Sequence, residues 1–392
     1  MDLNLTEEQK MIAGMARDFL EKECAQPAMR QPMESPEGYS RDMWRQIAEL
    51  GWTGIVYPEK YGGLELKNLD ACLLMKEMGR AAFPSPFLST VLLSGRAILE
   101  GGSEAQKGEY LPRIASGDLF MSFALVEANA LPNAGTVETT ARLEGGAYVL
   151  NGSKWFVEFA EQSDCMLVVA RTRASENPEE GLTMFLVDPK SSGISYTRLS
   201  TMARQPQAKV KLENVRLSPE SAVGPVDGAW PILERVMQSA TAILCGYMVG
   251  LAERAHELAV EYCKHRVQFG RPIGAFQAIQ GYLATSWSEI LMAEYLGYYA
   301  AWHLDEGLPA RSAVAIAKAF AGYAAKNGTQ LSVQLHGGLG ATKESPPMPY
   351  LLWAKQLQQT LGTCEYHERI VAEEMLDKEP LKLDETEALA LT

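Results

Sequence analysis

The sequence predicts an α+β multidomain protein. It has an N-terminal all-α domain, a small central β-barrel or sandwich, and a C-terminal four-helix bundle. Three observations carry this. Apolar residues recur at helical spacing up to about residue 117. From 118 the period shortens to alternation and short apolar runs. From Ala229 the helical period returns in long segments, 230–268, 275–305, 309–335 and 350–377, joined by short corners. The boundaries expected are 1–117, 118–225 and 226–380, with an acidic tail at 381–392.

Each element has a local reason. Thr6 and Gln9 form a capping-box pattern before Met11, Ile12, Met15, Phe19 and Leu20 at helical spacing. Ser40 can cap a helix with Met43, Trp44, Ile47 and Leu50 on one face. Asn68 or Asp70 opens another through Met75 and Met78, and Pro84 and Pro86 end it. Helical runs follow at 86–100 and 103–116. Short strands are expected at Phe120–Val126, Thr139–Leu143, Tyr148–Leu150, Trp155–Phe159, Met166–Ala170, Met184–Val187 and Val210–Leu212. Gly145-Gly146 and Asn151-Gly152 are residues that two-residue hairpin turns demand. Gly337-Gly338-Leu339-Gly340 interrupts the C-terminal helices.

Composition bounds the function. The 392 residues carry 36 basic and 49 acidic side chains, a net charge of −13. That argues against nucleic acid or an anionic membrane as a general partner, while leaving room for a local basic pocket. No run approaches about 18 uninterrupted apolar residues, and the start lacks a basic region before an apolar core. A cytoplasmic protein with no membrane span is expected. The 6 cysteines are scattered with no Cys-x-x-Cys pair, and the 5 histidines show no metal-ligand spacing. No metal site is expected.

Arg266-Val267-Gln268-Phe269-Gly270-Arg271-Pro272-Ile273-Gly274 lies between two long helical segments. Gln277 follows Arg266 by eleven residues, so the two can meet at a helix–helix corner. A guanidinium there offers a fork of donors that suits a phosphate. A solvated corner is the plainer alternative.

The whole layout, with Tyr61-Gly62-Gly63, Asn151-Gly152-x-Lys154-x-Phe156, Arg266-x-x-Phe269-Gly270 and Gln334-Leu335-His336-Gly337-Gly338, resembles the acyl-CoA dehydrogenase family. The resemblance implies FAD held by two chains and α,β-desaturation of an acyl-CoA thioester. It also implies an electron-transfer flavoprotein as acceptor. The residues lent across the subunit interface would be Arg266, Phe269, Gln277, Gln334, Gly337 and Gly338. Arg266 would meet the pyrophosphate and Phe269 the adenine end.

Elsewhere the chain departs from that pattern. The β-domain signature Thr-Glu-Pro-x-Ala-Gly-Ser-Asp is matched by Val126-Glu127-Ala128-Asn129-Ala130-Leu131-Pro132-Asn133, which loses two hydroxyls. The signature Trp-Ile-Thr-Asn-Gly is matched by Trp155-Phe156-Val157-Glu158-Phe159. Val157 would then stand where a Thr hydrogen-bonds the flavin, and Phe159 would add bulk where the ring stacks. The family's catalytic Glu falls on Leu361, and its alternative position on Ala240. Glu234, Glu365 and Glu368 read as solvated helix residues. The pattern is similar to a non-catalytic chain in an α2β2 assembly with a second acyl-CoA dehydrogenase chain, known in steroid side-chain and other lipid catabolism. Two alternatives stand beside it. One is a homo-oligomeric enzyme with atypical elimination chemistry and Glu365 or Glu127 as base. The other is a non-enzymatic scaffold. Phe83, Phe87, Met237 and Tyr247, expected near the acyl group, give no readable shape.

Overall fold

The computed structural model describes residues 4–24, 35, 37–342 and 344–377. The expected acidic tail at 381–392 lies outside them. The N-terminal helices are α1 (Glu7–Glu23), α2 (Arg41–Glu49), α3 (Asn68–Arg80), α4 (Arg96–Gly101) and α5 (Glu104–Ala115), with a π-helical turn at Leu88–Gly95 before α4. The caps are those the sequence offers. Thr6 Oγ1 accepts from Gln9 N at 3.2 Å while Gln9 Oε1 accepts from Thr6 N at 3.1 Å. Ser40 Oγ accepts from Met43 N.

The strands are β1 (Met121–Ala124), β2 (Thr140–Glu144), β3 (Ala147–Glu158), β4 (Cys165–Arg171), β5 (Leu182–Val187), β6 (Ile194–Leu199), β7 (Gln207–Leu217) and β8 (Ala222–Val223). They form one mixed sheet in the order β6-β7-β3-β2-β4-β5-β8, with β1 parallel to β4. Of the expected barrel or sandwich, the sheet does not close into a barrel, being open at β6 and β8. The Gly145-Gly146 turn is as expected, with φ +60° and +80° joining β2 to β3. Asn151-Gly152 is not a turn. It lies inside β3, where the pairing with β7 shifts register between Leu150 and Gly152. Glycine is needed there for a different reason: a Cβ at Gly152 would lie 2.5 Å from Thr139 Oγ1.

The C-terminal helices are α6 (Trp230–His265), α7 (Gln277–Asp305), α8 (Arg311–Leu335), α9 (Met348–Leu357) and α10 (Cys364–Ala372). The expected single fourth helix at 350–377 is therefore split. Among the described residues, α6 is the one helix long and apolar enough to cross a membrane, and 83% of its apolar window is buried inside the protein. It packs against α3 at backbone distance. A side-chain carbon at Gly246 would lie 2.3 Å from Cys72 O, and one at Gly250 2.0 Å from Lys76 O. The bundle also caps α3, because Asp305 accepts from Asn68 N at 2.8 Å and Leu69 N at 3.1 Å.

Two buried cations hold the segments that flank the cavities. Lys154 Nζ meets Glu127 Oε1 at 2.8 Å and Leu125 O at 3.0 Å. Glu127 also accepts from Thr139 N at 2.9 Å and Glu138 N at 3.0 Å. Burial pushes Glu127 up, but Lys154 and Thr139 outweigh it and hold its carboxyl below the usual range. Glu127 is thus a structural anion and not a free base. Glu127→Gln leaves Lys154 buried without its anion. It should cost about 3–5 kcal/mol in urea unfolding at pH 7.

Candidate FAD and acyl-thioester site

The first element of the site is the corner between α6 and α7. The chain leaves α6 at Arg266 and makes a two-residue hairpin, β9 (Val267–Gln268) against β10 (Arg271–Pro272). Its tip is Phe269-Gly270, with φ +54° and +79°. Both values are positive, as a type I′ turn requires, and a phenylalanine adopts such a backbone only at a cost. The result is a ring 92% exposed to solvent. Phe269 and Gln334 line one groove of about 650 Å³ with Ile273, Phe276, Ile279 and Tyr282. Gln277 begins α7 beside it, and Gly337 and Gly338 are exposed just past α8. The Arg266 side chain is exposed. No hydrogen-bond or ion-pair partner for its guanidinium is found among the described residues. His336 stacks on Tyr262 at 4.3 Å and its Nδ1 donates to Ser332 O at 2.7 Å, which fixes the glycine loop to the bundle.

The second element is a pocket between domains. A chamber of about 300 Å³ lies between the β domain and the segment joining α9 to α10. One wall is Phe123, Leu125, Val126, Trp155 and Phe156, and the other includes Leu361, Gly362 and Thr363. A neighbouring cavity of about 280 Å³ shares Pro132 and Leu361 with it and reaches Met237, Gln238, Thr241 and Arg311. A third, about 30 Å³, is nearly filled by Phe83, Phe87, Tyr247 and Trp353. Three of the expected acyl-pocket residues therefore meet in one place, and Met237 lies at the other cavity.

The register within β3 corrects the expected flavin contacts. The pairing with β7 shifts again between Lys154 and Val157, and Phe156 has φ +55°. Val157 therefore turns into the core of the β domain, among Leu150, Met166 and Val210. Phe159 is fully buried on the other side, edge-on to Tyr39 at 5.7 Å, and adds no bulk to the chamber. The residues that face the chamber are Trp155, Phe156 and Glu158. Trp155 is half-buried with Lys209 Nζ 4.6 Å above its ring. Sequence reasoning missed Glu158, and no motif spacing marks it because the bulge decides which side chains face inward.

Glu158 is the one acidic side chain in the chamber lining. Burial pushes its carboxyl up to about 7, opposed only by a hydrogen bond from the Gln205 side chain. The other acids lie elsewhere. Glu365 is exposed in the first turn of α10, Glu368 accepts from Tyr323 OH at 3.0 Å, and Glu234 sits 3.8 Å from Arg311 at an exposed edge. Leu361 lines the chamber with φ +56°, whereas Ala240 is packed in the helical core. The loop that carries Leu361 is pinned from beneath. Lys318 Nζ donates to Gly362 O at 3.0 Å and Leu357 O at 3.2 Å, and burial pushes its ammonium down to about 8. The ring of His367 contacts Leu361 O at 2.9 Å through Nε2, and burial pushes it down to about 4, so it is neutral at pH 7.

A helical domain, an open mixed sheet and a helical bundle, with an exposed cation–phenyl–amide corner and a chamber between sheet and bundle, define an acyl-CoA-handling flavoprotein fold. The chain belongs to the acyl-CoA dehydrogenase family. The N-terminal, middle and C-terminal domain profiles of that family match residues 6–118, 122–215 and 228–376. It is similar to acryloyl-CoA reductase (NADH) of Anaerotignum propionicum, at 31% identity over 96% of this chain and 97% of that one. It resembles the structure of butyryl-CoA dehydrogenase from Megasphaera elsdenii at 30% identity and TM-score 0.87, covering 96% of this chain and 100% of that one. It also resembles the ChsE4-ChsE5 complex from Mycobacterium tuberculosis at 26% identity and TM-score 0.86, covering 95% and 98%.

The family is FAD-dependent, and the residues present fit that cofactor unequally. The corner fits: an unpaired guanidinium, an exposed ring and a loop with open space above Gly337 and Gly338 suit a phosphate and a flat base. The chamber combines apolar walls with several uncharged polar side chains, but Val126 and Pro132 supply no hydroxyl and Glu158 adds an ionisable group.

The Glu158 shift has a stability consequence of definite sign. The folded value lies above the ordinary 4.5, so the carboxyl favours folding fully below 4.5 and loses that benefit as pH rises through about 7. Relative to Glu158→Gln, the wild type should lose up to roughly 3 kcal/mol between pH 5 and pH 8, read from urea midpoints of both proteins.

Proposed function

We propose that this chain is one subunit of an FAD-dependent enzyme that desaturates an acyl-CoA thioester, and that it lends the cross-interface half of the FAD site to a neighbouring chain. The reading rests on one contrast. The outward corner of Arg266, Phe269, Gln277, Gln334, Gly337 and Gly338 keeps what a neighbour's cofactor needs, while neither position for the family's base carries a carboxylate. Arg266 would neutralise pyrophosphate charge, and Phe269 would cover the adenine end.

The surface supports an assembled state. Helix α7 exposes Tyr282, Trp287, Met292, Tyr295 and Tyr299 along one helix, a concentration of large apolar groups that a lone subunit would leave wet. The neighbour we propose is a second acyl-CoA dehydrogenase chain carrying the carboxylate, in an α2β2 arrangement. The ChsE4-ChsE5 complex is a relative whose structure contains two named chains. An electron-transfer flavoprotein would take the electrons.

When bound, the flavin supplies two-electron redox chemistry. This chain's own residues bind and orient: Arg266 fixes charge, Phe269 and Tyr282 exclude water, and the Lys318-pinned loop shapes the wall that carries Leu361. A second reading, a homo-oligomeric enzyme with a relocated base, is favoured by Glu158 alone.

Removing the guanidinium tests the first reading. Arg266→Gln, co-expressed with its partner chain, should weaken FAD retention roughly 10- to 100-fold, the worth of one charge-assisted contact. Flavin absorbance per assembly after gel filtration reads it. FAD content unchanged in an intact assembly would overturn the reading. So would one FAD per chain, with acyl-CoA oxidation, in the chain purified alone.

A further inference from the structure

Glu158 has no use in the cross-interface reading, yet its surroundings are specific. It ends β3 and pairs in register with Gln207 of β7. Its backbone carbonyl accepts from Ser122 Oγ of β1 at 2.8 Å, which fixes the strand end. Its side chain lines both the 300 Å³ chamber and the small cavity beyond it. The Gln205 side chain hydrogen-bonds the carboxyl. Gln205 Oε1 in turn accepts from Gln356 Nε2 of α9, so the contact bridges sheet and bundle. Gln356 also faces the chamber, and its Oε1 is buried without a partner. The chamber thus places its one carboxyl, Glu158, beside Gln356; the other polar lining groups, Ser89, Gln207, Gln359, Thr360 and Thr363, carry no charge.

No other charge competes for that corner. Neither cavity lining contains Lys, Arg, His or a second carboxyl from the sheet, α3, α6, α9 or the 358–363 loop. The one other titratable lining group is Tyr247, which donates to Phe83 O at 3.0 Å and stays neutral because burial raises it well above its ordinary value.

We propose that Glu158 is the proton-transfer residue of this chain's own chamber, acting on the C–H next to the carbonyl of an acyl thioester bound there. The carboxylate takes the proton, and the electron pair of the broken C–H bond moves onto the carbonyl oxygen as an enolate. The same carboxyl, after exchange with water, returns a proton to that carbon. The cycle balances without an oxidant, so it needs no second substrate. A carboxyl raised to about 7 is matched to this work at neutral pH, because a weakly acidic C–H needs a stronger base than an exposed carboxylate. The inference rests on the acyl-CoA reading, but not on whether the neighbouring chain is a copy or a second sequence.

The test is exchange. The full-length protein, with its partner chain if one is required for solubility, is incubated with butyryl-CoA in D2O, and deuterium at the carbon beside the carbonyl is read by mass spectrometry. The wild type should incorporate deuterium, with a rate that climbs tenfold per pH unit and levels above about 7. Glu158→Gln should slow exchange at least ~100-fold while calorimetric affinity for butyryl-CoA changes only a few-fold. Glu158→Asp, which keeps the carboxyl, should retain measurable exchange and guards against a folding defect. Infrared spectra should show a protonated-carboxyl band that titrates near neutrality and is absent in Glu158→Gln. Exchange by Glu158→Gln at the wild-type rate, or no exchange by saturated wild type, overturns the proposal. Either result leaves the FAD-retention test of Arg266 standing, so the two failures are distinguishable.

Discussion

The ammonium of Lys318 is the contact on which the geometry of the chamber depends. It sits fully buried beneath the end of α9, where a helix leaves carbonyls without intrahelical donors. Two of those oxygens, on Leu357 and Gln358, converge on it together with Gly362 O from the loop beyond. Among the described residues no anion lies beside it, and backbone carbonyls hold the cation where the chain reverses between α9 and α10. Leu361 takes a left-handed backbone at the reversal and is pushed into the wall shared by two cavities. The neutral ring of His367 closes the same turn from the other side. The wall is rigid because the group that organises it has nowhere else to go.

The Glu127–Lys154 pair does a similar job in the sheet. It ties the Leu125–Glu127 segment, which forms one chamber wall, to the strand that carries Phe156 and Glu158. Chamber shape therefore follows from two buried ammonium groups, one per domain. Breaking either contact changes the cavity before it changes any residue that lines it. The side chains that touch a ligand here are positioned by groups that do not.

The fold was legible in the sequence where period and capping agreed. Helical spacing, the Thr6–Gln9 box and the Gly145-Gly146 turn are local signals, and the structure keeps all three. What was not legible was decided by pairing between distant strands. Asn151-Gly152 has turn chemistry, but β7 pairs across it and Thr139 crowds it, so it serves a bulge instead. The bulge after Lys154 then moved the inward face by one residue. Glu158 took the place that sequence matching had given to Val157, while Trp155 stayed in the wall and Phe156 joined it. Because strand side chains alternate, a one-residue shift exchanges wall for core. The same holds for the last helix, whose break at 358–363 depends on Lys318, some forty residues earlier in the chain.

Phe269 carries a consequence for how the protein is made. A benzyl side chain at a left-handed position on a hairpin tip is a poor choice for a solitary subunit, both in backbone energy and in wetted apolar surface. Any neighbour that covers it binds only the folded form, so folding and association draw on one another by mass action. In such an assembly the stability of this chain depends on its concentration and on the supply of the neighbour. Under the two-chain reading proposed above, balanced synthesis of the subunits follows as a physical requirement, traceable to one exposed ring at the end of α6.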